Sequence, residues 1–304
     1  MQCAEPRASI LINNYNNGRY IADCVASALD QTAPAAEVIV YDDGSTDESL
    51  GVLRSFGDRI TLIEGVHDSA KASRLCQAEA VWRAFQRSRG EWLFLLDGDA
   101  RFERRKVERV LRFVASRTDI ALVQSPLRLI DENGREFGRY RDLRFHHPRI
   151  GAAIYEQDDV DFFYPTSAMV VNRRALERVL PLDMTICPEL ACDTRIGMLM
   201  PLLGEVMTMF ECLGAWRRHA GSYISGLGRS RWFQAQQTWR RVRTFNRCAP
   251  RYSAKPISLW RNRRFRRQLL GAMLPESLRR RWRKTDLVFH GPRASASALR
   301  KIAP

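Results

Sequence analysis

Long apolar runs are missing from this 304-residue sequence. Its most apolar stretch, Ile196 to Phe210, is broken by Pro201 and Glu205 and falls short of the ~20 residues that span a bilayer. The opening residues, MQCAEPRASILINN, lack the basic start and apolar core of a secretory leader, so no cleaved signal is expected. A disulfide pattern is lacking too. The seven cysteines (Cys3, Cys24, Cys76, Cys187, Cys192, Cys212 and Cys248) are odd in number and scattered, which fits a reducing cytosol. Cys187 and Cys192 are not spaced as a zinc knuckle and are expected to be small buried hydrophobes. Acidic residues nearly vanish from the C-terminal quarter. From Arg229 onward 21 Lys or Arg face only Glu276 and Asp286, while the rest of the chain holds 28 basic against 32 acidic residues. The formal charge of +15 therefore belongs to the tail, and body and tail need separate explanations.

What is present suits an enzyme-sized α/β body. The hydrophobic content of 45% supports a full core. Apolar, β-branched runs recur at Ser9 to Asn13, Glu37 to Tyr41, Ile60 to Glu64, Trp92 to Leu96 and Ile120 to Ile130. Helical patterns lie between them at Tyr20 to Leu29, Lys71 to Arg89 and Arg104 to Ser116. Nearly continuous strands alternating with helices predict a Rossmann-like, doubly wound, mostly parallel sheet covered on both faces. Further along, Arg135 to Tyr164 is polar and aromatic with little periodicity and reads as acceptor-side loops. Ala168 to Asn172 reads as a strand, Arg173 to Leu180 and Ala191 to Leu203 as helices, and Glu205 to Trp216 as an apolar run. No internal repeat is visible.

In such folds ligands bind outside the carboxyl ends of the strands, so the residues directly after each strand carry the chemistry. The first strand runs into NNYNNG (Asn13 to Gly18), the second into DDGSTD (Asp42 to Asp47) and the fourth into DGD (Asp97 to Asp99). In DDGSTD, Gly44 makes the turn and Ser45, Thr46 or Asp47 caps the following helix. A carboxylate there accepts from a nucleobase ring N–H and ribose hydroxyls, with Asp43 rather than Asp42 expected in that role. Two carboxylates one residue apart, as in DGD, suit the hard cations Mg²⁺ or Mn²⁺, which grip a diphosphate. A lone Asp-x-Asp is common by chance. Its position after an apolar strand, beside DDGSTD, is what gives it weight.

The segments ASILINNYNNGRYIADCVASALDQT, EVIVYDDGSTDESL and GEWLFLLDGDARF resemble the nucleotide-binding half of family-2 glycosyltransferases. PTSAMVVNRRALERVLP, CDTRIGMLMPLLGEV and GAWRRHAGSYIS resemble the acceptor half. The likeness covers about Ala8 to Ser225, several motifs in the family's order. It implies a GT-A fold over residues 1–225, with 8–130 the nucleotide half and 131–225 the acceptor half. It also implies a nucleotide-diphosphate sugar donor and one displacement that inverts the anomeric carbon. Asn13 falls in the donor pocket, Tyr15 would stack on the base and Asp43 would hold base or ribose. Asp97 would meet ribose or metal-bound water, Asp99 would bind the metal, and Lys71 or Arg74 would lie near the donor. KASRLCQAEAVW replaces the family's usual basic-then-asparagine pattern in that helix. Asp193 matches the catalytic base, with Cys192 standing where a Glu is common and Glu189 the fallback. WRRHAGS is similar to the family's aromatic-Arg-x-His-Gly-Gly loop, differing at Ala220 and Ser222. There His219 would bind metal or phosphate, and Arg217 or Arg218 would neutralise the leaving group.

The basic stretch 226–304 is expected as a separate helical tail. It interleaves Trp232, Trp239, Phe245, Trp260, Phe265 and Trp282 with arginines, which suits an anionic membrane interface. Each cation near such a surface adds about 1 kcal/mol. The expected protein is thus cytoplasmic, with possible peripheral attachment at the inner face of the cell membrane, acting on a glycan or lipid-linked acceptor. Two rival classes are a sugar nucleotidyltransferase, which would want a Gly-rich basic loop after the first strand, and a non-catalytic nucleic-acid binder. Nothing resembles a nucleic-acid module.

Overall fold

The computed structural model describes residues 7–147, 149–186, 188–219 and 230–274. The expectations for Cys3, Cys187 and Trp282, and the departures at Ala220 and Ser222, fall outside those residues. Strands β1 (Ala8–Asn14), β2 (Glu37–Asp42), β3 (Thr61–Glu64) and β4 (Trp92–Asp97) form the parallel heart of a seven-stranded sheet. With β6 (Ile120–Gln124), β9 (Met169–Asn172) and β10 (Glu205–Thr208) the order is β10-β6-β9-β4-β1-β2-β3, and β9 alone runs antiparallel to its neighbours. Alternate residues of these strands enter two cores. Ile10, Ile12, Phe94 and Leu96 pack against helices α1 (Gly18–Leu29) and α4 (Lys106–Val114). Leu11, Leu93 and Leu95 pack against α3 (Ser73–Arg87) on the other face. A sheet buried on both sides must be apolar at consecutive positions, which is why these strands read as continuous runs.

A second sheet, ordered β5-β11-β7-β8, joins β5 (Arg101–Phe102), β11 (Gly214–Arg217), β7 (Leu127–Ile130) and β8 (Glu136–Tyr140). It corrects three expectations. Ile120 to Ile130 is not one strand: Ser125 and Pro126 separate β6 from β7, and Pro126, lacking an N–H, sits where the chain leaves one sheet for the other. The run Glu205 to Trp216 is likewise split between β10 and β11. Nor is Arg135 to Tyr164 only loop, since it holds β8 and α5 (Ile150–Gln157). The short α2 (Ser49–Arg54) follows DDGSTD, where Asp47 accepts from Ser49 N (3.0 Å) and from Gly18 N (2.8 Å), serving two helix starts at once. Two further α-helices among the described residues are α6 (Arg173–Glu177) and α7 (Cys192–Leu199).

The boundary expected near residue 225 does not separate a body from a free tail among the described residues. Helices α8 (Arg231–Cys248) and α9 (Arg263–Met273) pack against each other, and α8 packs on α7. Phe245 is fully buried and Val242, Cys248 and Ala249 join the core beneath α3. Charge explains the docking as much as hydrophobicity. The acidic run Asp158, Asp159 and Asp161 meets Arg261 (3.1 Å to Asp158), Arg241 (3.0 Å to Asp161) and Arg264, which pairs with Asp161. Asp158 also accepts from Ser258 N at 2.7 Å and its carbonyl accepts from Asn262. Arginines that look surplus in the sequence thus satisfy carboxylates elsewhere in the body. Phe245 and Phe265 are core residues rather than interface aromatics, whereas Trp232, Trp239 and Trp260 remain exposed.

Candidate active site

The parallel register places Asn13 level with Asp97 on one side and Tyr41 on the other, so the loops after β1, β2 and β4 open on a single edge. There they line a cleft of about 890 Å³, within the range of small-molecule sites. Asp42 and Asp43 divide at this edge. Asp42, fully buried, accepts from Asn14 Nδ2 (2.7 Å), Ser45 N (2.7 Å) and Ser45 Oγ (2.7 Å) and is spent on the turn. Asp43 lines the cleft, its Oδ2 2.7 Å from His67 Nδ1. The His67 ring stacks on Tyr15 with centroids 3.9 Å apart and 15° between planes. Gly44 makes this meeting possible: its φ of +69° is left-handed, and a Cβ there would lie 2.6 Å from His67 N.

Asp97 and Asp99 both line the cleft. Asp97 accepts from Gln77 Nε2 (2.9 Å) and Ser167 Oγ (2.9 Å), while its own N–H donates to Ser167 Oγ at 3.1 Å. Burial, then the charges of Asp99 and Asp193, push the Asp97 carboxyl up to about 7. Asp99 Oδ2 lies 3.1 Å from His219 Nε2. Gly98 between them permits a close turn, since a Cβ there would sit 2.5 Å from Asn14 Oδ1. Two carboxylates and an imidazole lining one cleft, with Asp97 pushed toward its neutral form by burial and then by its acidic neighbours, are donor types that fit a hard divalent cation.

Beneath this chemistry, the buried Lys106 donates to Ser167 O at 2.7 Å and lies 3.9 Å over the Phe102 ring. Burial pulls its ammonium down to about 7.

Across the cleft, Asp193 stands in the first turn of α7, whose N-cap is Ala191, so it is not the helix cap. Its Oδ1 accepts from Thr194 N at 2.5 Å, and burial raises its carboxyl above the ordinary range. Glu189 lines the same cleft from the preceding loop, and Lys71 and Arg74 line it from just before and within the first turn of α3. Lys71 pairs with Glu79 (3.1 Å) and Arg74 donates to Pro188 O (2.7 Å).

Arg217 and Arg218 do not fit the role expected of them. Arg217 is buried, with Nε on Asp99 O (3.0 Å), Nη1 on Asp131 O (3.2 Å) and Nη2 on Asp23 Oδ2 (2.9 Å). Its guanidinium braces the Asp99 loop from behind and is taken up by the protein. Arg218 lies 4.9 Å over the Trp216 ring and is not among the cleft-lining residues. The cations the sequence reading missed come instead from the tail: Arg241 on α8 and Arg264 on α9, with Gln237 and Gln268 beside them. Phe233, Gln237 and Arg241, spaced four apart, share one face of α8. His67, Gln77 and Ser167 were also missed. The strand-end rule signals only His67, which follows β3.

Comparison with known proteins identifies the family and the fold. The family model described as glycosyl transferase family 2 matches residues 9–180, more than half of the chain. An uncharacterized glycosyltransferase of Nostoc sp., alr2836, is 28% identical over 223 residues, covering 71% of this chain and 66% of its own length. The putative teichuronic acid biosynthesis glycosyltransferase TuaG of Bacillus subtilis is 25% identical over 238 residues, covering 77% and 86%. Among solved structures, the mannosyltransferase PcManGT of Pyrobaculum calidifontis, in complex with GDP-Man and Mn²⁺, aligns with a TM-score of 0.59 at 16% identity over 94% of this chain and 81% of that one. S. aureus TarS 1-349 with UDP-GlcNAc aligns with a TM-score of 0.56 at 17% identity, covering 79% and 66%. The chain belongs to glycosyl transferase family 2 and carries the GT-A fold.

Proposed function

We propose that this protein moves a sugar from a nucleoside diphosphate to a hydroxyl of a growing glycan or lipid-linked acceptor, with inversion at the anomeric carbon. The observation that carries the reading is the convergence of Asp43, Asp97, Asp99, His219 and Asp193 on one cleft. The names of TuaG and of the Escherichia coli chondroitin synthase, 33% identical over 129 residues, support polysaccharide biosynthesis as the setting.

Asp43 accepts from the base or ribose, and Tyr15 offers its ring to the base. Asp99, Asp97 and His219 would hold a divalent cation, Mn²⁺ or Mg²⁺. When bound, that ion supplies Lewis-acid charge to the diphosphate oxygens. Asp193 takes the acceptor hydroxyl's proton as the new carbon–oxygen bond forms and the bond to the diphosphate breaks, and the raised affinity of its carboxyl for protons suits a base. Gln237, Arg241 and Gln268 face the acceptor side and orient its hydroxyls or an anionic group.

Among the described residues no helix is long and apolar enough to cross a membrane. Exposed Trp232, Trp239 and Trp260, with Leu270 and Met273 among arginines, support peripheral contact with an anionic bilayer surface.

The decisive experiment screens nucleotide sugars with Mn²⁺ for hydrolysis and transfer, in the parent protein and in Asp99→Ala. Loss of turnover by roughly 10³-fold, together with loss of metal-dependent donor binding, is expected. Normal turnover in Asp99→Ala would remove the metal assignment.

A further inference from the structure

In the lining of the same cleft, three side chains from three separate elements meet. Asp43 follows β2, His67 lies in the loop after β3, and Cys76 occupies the first turn of α3. A carboxylate oxygen, an imidazole nitrogen and the thiol sulfur all lie within 4.8 Å of one another. Asp43 and Cys76 are buried and His67 is half-buried. Their positions are set by the scaffold. The N–H of Asp43 is held on Asn14 O (2.9 Å), the His67 ring plane is fixed by Tyr15, and Cys76 N is held on Ala72 O (3.3 Å).

Metal–sulfur and metal–nitrogen bonds of about 2.3 and 2.0 Å at tetrahedral angles put ligand atoms roughly 3.5 Å apart, so this group is within side-chain rotation of a coordination sphere. The donor types matter as much as the spacing. Sulfur with imidazole selects zinc-like ions, whereas the oxygen-rich Asp97 and Asp99 end selects magnesium or manganese. The cleft therefore carries two donor sets of opposite preference.

We propose that Asp43, His67 and Cys76 form a second cation site, for Zn²⁺ or a similar thiophilic divalent ion, and that the ion excludes the donor's base. The exclusion rests on the reading of Asp43 as the base or ribose contact, and the metal site itself does not. On coordination the Cys76 S–H bond breaks, its proton passes to solvent and a sulfur–metal bond forms, with no change of oxidation state. The fourth position is left to water from the cleft.

Cobalt serves as a coloured stand-in for zinc. Co²⁺ is titrated into the full chain with excess Mg²⁺ present to occupy the oxygen-rich end. The expected result is a thiolate-to-cobalt charge-transfer band that Zn²⁺ abolishes, that persists in Asp99→Asn, and that is absent in Cys76→Ser. Cys76→Ala is the second thiol-free variant should the serine chain not fold. Zn²⁺ affinity, read by competition with a chromogenic chelator, should fall at least about tenfold in His67→Gln. Uridine or guanosine, which lack chelating phosphates, should raise the Co²⁺ concentration needed for half-saturation. No band in the parent protein, or a band that survives removal of Cys76, overturns the site. A band indifferent to saturating nucleoside overturns the exclusion. Calorimetric binding of UDP or GDP with Mg²⁺ alone reports separately on the donor reading, so the two can fail independently.

Discussion

Residues 8–130 and residues 230–274 both line the cleft, but they arrive by different physics. In the first region the reactive side chains sit at strand ends and are contiguous in sequence, as in Asp42–Asp43 and Asp97–Asp99. A hydrogen-bonded register, Asn13 beside Asp97 and Asn14 beside Asp42, brings the loops together. In the second region Gln237, Arg241, Arg264 and Gln268 come from two helices, and they face the cleft only because Phe245 is buried and the acids at 158–161 are waiting for cations. A strand end is a local address. A helix face gains a function only once it is docked.

Substitutions on the two sides should therefore fail differently. The largest effect is expected from Asp193→Asn, which keeps size and polarity but removes the base. Turnover should fall roughly 10²- to 10⁴-fold while the donor dissociation constant stays unchanged, as measured by steady-state kinetics and calorimetry. Retained turnover would move the proton to Glu189. Phe245→Ala, in the second region, should instead cost about 3–5 kcal/mol of folding stability by urea denaturation. A cost near zero would mean that α8 is a detachable tail after all.

Next in size is a pH effect at the seam between sheet and site. The unfolded chain keeps the Lys106 proton up to about pH 10, so between about pH 7 and pH 10 the unfolded state binds more protons than the folded one. Stability should rise with pH across that window by up to about 1.4 kcal/mol per unit, and Lys106→Met should flatten the slope. The smallest effect is expected at Trp232, exposed on α8. Trp232→Ser should change stability by less than about 0.5 kcal/mol, while reducing co-sedimentation with anionic vesicles.

Much of the first region was legible because two-sided burial forces a continuous apolar run and parallel sheets put ligand groups after it. Tyr15, Asp43, Asp97 and Asp99 follow from that rule, and all four line the cleft. Asp193 and His219, suggested by resemblance alone, line it as well. Arg217 was misjudged because its neighbours, Asp23, Asp131 and Asp99, are distant in sequence and consume its donors only in the folded chain. Ser167 and Gln77, which orient Asp97, carry no local signature, since a serine after Pro165 and a glutamine in a helix look like many others. The break at Pro126 was visible in principle, but its consequence, a change of sheet, was not.

By itself the sequence determined the alternation of strand and helix, the chemical types gathered at the strand ends and the excess of positive charge beyond residue 229. Those are properties of near neighbours, fixed by periodicity and composition. Only the tertiary structure decided which charges reach the cleft. Arg217 and Arg241 are the same residue type, yet one is locked behind Asp99 and the other opens on the cleft. Long-range pairing makes that choice, because a guanidinium goes to whichever buried acceptors the packed helices and strands leave unsatisfied.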